Sequence, residues 1–209
     1  MGNRNPEQPV ETVGNENHVE ASVRAFIAIA LPENIIAFLG KLQDQLETGG
    51  LPMKWTRPGN IHLTLKFLGD ISPNAVLAAG EVIAETGEGY PPITLSVSGI
   101  GVFPGIRRPN VLWTGISGQT DVLAALQRDL DTRLHERLGV APEKRRFTGH
   151  LTLGRVKGRP EPDRFIEAME KFGKLETEPF TADAVHLFRS RLLPSGPVYT
   201  RITGASLGT

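Results

Sequence analysis

The sequence predicts an α+β fold with antiparallel sheet, and three observations carry that prediction. Strand-length apolar segments outnumber helical ones, the two kinds do not alternate strictly, and each half of the chain carries the same tetrapeptide near its middle on a strand. A doubly wound parallel sheet would need regular strand-helix alternation and is disfavoured. The chain has 209 residues, 39% of them apolar and 22% charged. A chain of that length buries about 70% of its unfolded surface, as one domain or as two small lobes. Its 23 Lys and Arg balance 23 Asp and Glu, which excludes a uniformly basic nucleic-acid coat and a highly charged disordered chain. Any site for a polyanion must therefore be local. The absence of cysteine removes disulfides, thiolate nucleophiles, iron-sulfur clusters and thiolate zinc sites together, leaving His and carboxylates as the reactive groups.

Residues 1–22 are rich in Asn, Glu, Gly and Pro without sustained period, so they are expected to form a flexible tail ahead of a folded domain over 23–209. No apolar run approaches the ~18–20 residues of a membrane span. The opening segment lacks the apolar stretch of a secretory signal, and Pro6 stands where myristoylation would want Ser or Thr. A cytoplasmic protein, away from membranes, is expected.

From Arg24 the run Ala25 to Leu31 has strand length, and Pro32-Glu33-Asn34 opens a helix to about Glu47 that Gly49-Gly50 ends. Asn60 to Leu68 reads as a strand between Pro58-Gly59 and Gly69-Asp70. Ser72 as N-cap and Pro73 at the first helical position start a helix to about Glu85. Ile93 to Val102 and Asn110 to Ile116 are strands. Thr120 to Leu138 is an amphipathic helix with Val122, Leu123, Leu126, Leu130, Leu134 and Leu138 on its apolar stripe, closed by Gly139. Gly149 to Val156 is a strand, Asp163 to Phe172 a helix, and Ala182 to Arg191 and Val198 to Ile202 the final strands.

The repeated tetrapeptide is His62-Leu63-Thr64-Leu65 and His150-Leu151-Thr152-Leu153. Strand alternation puts His62 with Thr64, and His150 with Thr152, on one face, and the leucines on the other. Alone, either copy reads as ordinary strand residues. As a pair, they supply what displacement at a phosphodiester needs: a base for the attacking oxygen and an acid for the leaving oxygen on opposite sides of phosphorus. Histidine, with a pKa of ~6.5, serves either role near neutrality. The threonine hydroxyls suit the non-bridging phosphate oxygens. No metal or other cofactor is required by that scheme.

At these residues the chain resembles the 2H phosphoesterase superfamily, whose signature is two His-x-Thr-x motifs. More narrowly it resembles the bacterial and archaeal RNA 2′,3′-cyclic phosphodiesterases, first described as 2′-5′ RNA ligases. The likeness runs from Arg24 to about Ile202 and includes Arg24 to Ile29, Asn60 to Gly69, Val111-Leu112-Trp113 and Phe147 to Arg155. It implies two pseudo-symmetric lobes with antiparallel sheets flanked by helices and an active groove between them. It also implies metal-independent hydrolysis of RNA 2′,3′-cyclic ends to 2′-phosphomonoesters. His62 would protonate the departing 3′ oxygen, His150 would activate water, Thr64 and Thr152 would bind phosphoryl oxygens, and ligation would be a secondary reverse reaction. The family usually has Pro before the second motif, and here Gly149 stands there.

Six cations fall within 144–159, namely Lys144, Arg145, Arg146, Arg155, Lys157 and Arg159, with no acid among them. They would steer an RNA end or form a solvated loop face. Lys66 shares parity with His62 and Thr64 and is expected to face the groove. Arg155 has the opposite parity to His150 and points away unless a bulge intervenes, whereas the resemblance favours it as a phosphate ligand. Phe26 and Trp113 are candidates to stack on a nucleobase, with core packing the competing role. His18, His135 and His186 read as solvated or structural.

Two other classes compete. A metallohydrolase lacks the adjacent carboxylate or His-x₃-His spacing that such sites usually show. A non-catalytic nucleotide-binding module would also hold a phosphate between His-Thr pairs, and turnover separates the two. Within the enzyme class, the substrate is an RNA 2′,3′-cyclic end, a 2′-5′ oligonucleotide or a small cyclic nucleotide, handled by a monomer.

Overall fold

The computed structural model describes residues 22–158 and 161–208. The expected tail, except for Ser22, and Arg159 lie outside them. In chain order the elements are β1 (Val23–Ile29), α1 (Glu33–Thr48), β2 (Met53–Trp55), a 3-10 turn (Pro58–Asn60), β3 (Leu63–Ile71), α2 (Pro73–Gly87), β4 (Ile93–Phe103) and β5 (Val111–Gly118). There follow α3 (Thr120–Leu138), β6 (His150–Val156), α4 (Pro162–Phe172), β7 (Phe180–Ala182), β8 (Ala184–Leu193) and β9 (Gly196–Ser206). The fold is α+β with two antiparallel sheets, as the strand-rich, irregular order predicts. Local chemistry sets the boundaries: the Ser72 hydroxyl accepts from the Ala75 N–H at 3.2 Å, with Pro73 in the first turn. Gly139 ends α3 in the left-handed region at φ 66°, where a side chain would be strained.

One sheet has the order β3-β1-β8-β9 and the other β2-β6-β5-β4-β7. The two orders superimpose by role. Each motif strand, β3 or β6, lies beside the first strand of its own half, β1 or β5. That strand in turn pairs with a strand from the opposite half: β8 beside β1, and β4 beside β5. The internal repeat is thus built as two lobes that exchange strands, a long-range pairing no local pattern reveals. Helices bury their stripes against this frame through Ile35, Leu39, Leu42 and Leu46 of α1, Val82 and Ile83 of α2, and Leu123, Leu126, Leu130 and Leu134 of α3.

A bulge interrupts each motif strand at the same place. Ala28 pairs with Thr64 and Ile27 with Lys66, so Leu65 is an extra residue in β3. Trp113 pairs with Thr152 and Leu112 with Gly154, so Leu153 is the extra residue in β6. Each bulge reverses side-chain parity beyond the tetrapeptide. Its irregular backbone is held by a buried glutamine from a helix of the opposite half. Gln127 Nε2 of α3 donates to the Leu65 carbonyl at 3.3 Å, and Gln43 Nε2 of α1 donates to the Leu153 and Thr56 carbonyls at 2.8 Å each. Both glutamines are buried, which these bonds make tolerable.

Candidate active site

The two tetrapeptides meet in one groove of about 290 Å³, lined by His62, Thr64, His150 and Thr152 together. The histidines are held alike. His62 Nδ1 lies 2.8 Å from the Asn60 carbonyl, and His150 Nδ1 lies 2.9 Å from the Thr148 carbonyl, each two residues back along the chain. A carbonyl only accepts, so Nδ1 carries the hydrogen in both rings and Nε2 is the nitrogen left to exchange a proton. Each ring also rests on aromatics from its own sheet. Phe26 stacks on His62 at 4.6 Å between centroids, and Tyr199 meets it edge-on at 5.2 Å. Phe103 meets His150 edge-on at 5.1 Å and stacks on Trp113.

The resemblance between the halves is not complete. Burial among aromatics holds the His62 pKa below the ordinary imidazole value of 6.5, with the hydrogen bond to the Asn60 carbonyl opposing. Burial likewise raises the Tyr199 phenol, and the nearby Arg155 charge pulls it partway back. The groove lining includes Lys54, Arg57 and Arg155 and no Asp or Glu among the described residues. That donor set suits an anion and offers no oxygen ligand cage to a divalent cation. No group of three or more His, Asp or Glu able to hold a metal occurs among the described residues.

The bulges place the flanking residues. Lys66, expected in the groove by parity, is instead buried. Its ammonium lies 2.5 Å from Asp131 and 3.4 Å from Glu143, and it donates to the Ala141 carbonyl at 2.7 Å. Phe67 takes the groove position that strict alternation would have given Lys66. At the equivalent place in the second copy, the Leu153 bulge turns Arg155 into the groove, overriding the alternation that pointed it away. Phe26 is 2% exposed and so backs His62 without offering a face to a base. Trp113 does not line the groove; it meets His150 edge-on at 6.3 Å between centroids and stacks on Phe103, which meets the same ring. Gly149 sits where an added Cβ would lie 3.2 Å from Leu123 Cδ2 and 3.5 Å from Leu63 Cδ1. Close packing at the start of the second motif is what the missing side chain permits.

Lys54, Arg57, Phe67 and Tyr199 carry no signal in the sequence that marks them as site residues. Lys54 lies on the three-residue β2, whose length gives too little pattern to read. Arg57 donates to the Ser195 carbonyl at 3.2 Å, and Asn60 Nδ2 donates to the Pro197 carbonyl at 2.9 Å. These bonds fasten the turn between β8 and β9 onto the first motif, and that turn brings Tyr199 to the groove wall.

Fold, duplicated motif and cationic groove together define a two-histidine phosphoesterase. The chain belongs to the LigT-like phosphoesterase family, which matches it twice, over residues 29–113 and 115–199. The two matches meet within β5, near the boundary between the two strand-exchanging halves. An RNA 2′,3′-cyclic phosphodiesterase of Methanothermobacter thermautotrophicus is 36% identical over 178 residues, 85% of this chain and 95% of that protein. One from Methanocaldococcus jannaschii is 31% identical over 177 residues, 85% and 96% of the two chains. Among solved structures, a Thermus thermophilus protein aligns with TM-score 0.73 at 25% identity, covering 88% of this chain and 97% of its own. Escherichia coli LigT shares the fold at TM-score 0.70 and 20% identity, covering 90% and 99%. No helix among the described residues is long and apolar enough to cross a membrane.

Proposed function

We propose that this protein hydrolyses RNA 2′,3′-cyclic phosphate ends to 2′-phosphomonoesters, with His62 as general acid and His150 as general base. The observation that carries the reading is the pair of histidines in one cationic groove, each with Nδ1 tied to a carbonyl and Nε2 left to exchange a proton. The relatives' names supply the substrate class.

In the reaction, His150 Nε2 takes a proton from water as its oxygen bonds to phosphorus. The bond from phosphorus to the 3′ oxygen breaks, and that oxygen receives the proton of His62 Nε2. Thr64 and Thr152 donate hydroxyl hydrogens to the non-bridging oxygens, while Arg155, Lys54 and Arg57 balance the charge that builds on them. Burial disfavours the His62 cation in the free protein; the anionic phosphate beside it draws the proton back, so the acid is charged by its own substrate. Attack by an RNA 5′ hydroxyl in place of water gives 2′-5′ ligation along the same path.

The test is steady-state turnover of a cyclic-ended RNA in excess chelator by the wild-type chain and by His62→Ala and His150→Ala. Each variant is expected to lose about 10²–10⁴-fold, the scale of a general acid or base. Wild-type rates in either variant, or loss of wild-type activity in chelator, would refute the assignment.

A further inference from the structure

Phe67 is a large apolar side chain at 64% exposure, held there by a bulge rather than by any packing need. Its ring lies 5.9 Å from that of Phe26, on which His62 is stacked. It is also a shared wall. On one side it lines the histidine groove, and on the other a concavity of about 610 Å³ that runs along the segment after α3 and includes Lys144 and Arg145.

The chemistry of that concavity follows from the residue the bulge turns inward. Lys66 holds Asp131 and Glu143 and donates to the Ala141 carbonyl, fixing the segment 141–143 against β3. The Asp131 carboxylate also accepts the Glu143 backbone N–H at 2.9 Å. Both nearby acids are thereby engaged by one buried cation, which balances one of their two charges. Lys144 and Arg145, next along the chain, are exposed and have no acidic partner among the described residues. An exposed ring followed by two unmatched cations is the arrangement that holds a single strand, by base stacking and by phosphate contacts.

We propose that the RNA chain upstream of the cyclic end leaves the groove over Phe67, one of its bases stacking on the ring and its backbone phosphates meeting Lys144 and Arg145. Lys66 is the positioning residue that presents this cationic segment. The inference rests on the proposed phosphodiesterase reading and narrows its substrate to an oligonucleotide end in preference to a small cyclic nucleotide. The groove's other cations do not compete for this role: Lys54, Arg57 and Arg155 line the histidine site itself, and Arg57 is engaged in part by the Ser195 carbonyl.

The experiment compares kcat/KM for a 2′,3′-cyclic mononucleotide and for a short oligoribonucleotide ending in the same cyclic nucleotide. The wild-type chain is expected to prefer the oligonucleotide. Phe67→Ala should cut the oligonucleotide-to-mononucleotide ratio by roughly tenfold, the scale of one stacked base. A Lys144→Gln, Arg145→Gln double variant should also lower the ratio, and should flatten the salt dependence of oligonucleotide binding by about 0.7 in log-log slope for each phosphate no longer neutralised. Both positions are exposed, so folding is preserved. Turnover of both substrates with a ratio and salt slope unmoved by either variant overturns the inference and leaves the phosphodiesterase reading standing. Turnover of neither substrate by the wild-type chain overturns that reading and this inference with it.

Discussion

Replacing Lys66 by methionine separates two accounts of the first motif strand. If Lys66 bound phosphate, as strand parity alone implies, Lys66→Met would cripple turnover and leave stability nearly intact. The structure reverses both expectations. The Lys66 side chain is 2% exposed, with Asp131 at 2.5 Å and Glu143 at 3.4 Å. Removing one partner of a buried ion pair costs about 3–5 kcal/mol, because a carboxylate is left uncompensated. Here the Glu143 side chain is 49% exposed and regains water easily, and Asp131 at 14% regains some. Methionine refills most of the methylene volume, so the expected loss is about 2–3 kcal/mol. With a urea m-value of ~2 kcal/mol/M, the unfolding midpoint falls by about 1–1.5 M. Urea melts of wild type, Lys66→Met and a Lys66→Met, Asp131→Leu double variant measure it, and the double variant should recover much of the loss because no buried charge is left unpaired. Unchanged kcat/KM for a cyclic mononucleotide should accompany the destabilisation. An unshifted midpoint together with a kcat/KM lowered at least tenfold would refute the reasoning.

Arg155→Met removes a groove cation and is expected to lower kcat/KM about 10–100-fold, the scale of a charge-assisted hydrogen bond, with little change in melting temperature; steady-state kinetics and a thermal melt check both. Because burial lowers the His62 pKa, the acid form in the free protein disappears as pH rises through a value below 6.5. The alkaline limb of kcat/KM should therefore lie at lower pH than that of kcat, where bound phosphate restores the proton, and pH-rate profiles for both decide it. Burial lowers His186 as well, with Arg201 adding to the effect, so below the ordinary value of 6.5 the unfolded chain binds more protons than the folded one. Stability should fall as pH drops from 6.5 toward the lowered folded values, and urea melts across that range measure it. Gln43→Leu leaves the Leu153 and Thr56 carbonyls without their side-chain donor. It should cost about 2 kcal/mol and lower kcat/KM through displacement of Arg155, and pairing it with Arg155→Met should show coupling between the two.

Much of this molecule is legible in its sequence because local chemistry is strong there. Ser72-Pro73 marks a helix start, Gly139 a helix end, and the leucine stripe of α3 a buried face. The motif histidines and threonines are legible because one tetrapeptide occurs twice, and strand alternation holds within it. Two residues further, alternation misplaces the side chains at both copies for one reason: a bulge at Leu65 and at Leu153 reverses parity, burying Lys66 and bringing Arg155 and Phe67 to the groove. The glutamines that hold those bulges come from helices of the opposite half, and no pattern within ten residues of either motif announces them. Phe26 and Trp113 are candidate base platforms in the sequence because an aromatic near a site is equally a core residue by composition; only their packing behind the histidines distinguishes the two. The exchange of β4 and β8 between sheets is a long-range pairing and is likewise silent in local periodicity.

The most direct test of the central claim is the fate of the phosphate. An RNA ending in a 2′,3′-cyclic phosphate, incubated with the protein in excess chelator, yields products separable as 2′- and 3′-phosphomonoesters. The 2′-phosphate is expected from the wild-type chain and none from the His62→Ala, His150→Ala double variant. A 3′-phosphate product, or 2′-phosphate formed at the same rate without both imidazoles, would contradict the two-histidine mechanism.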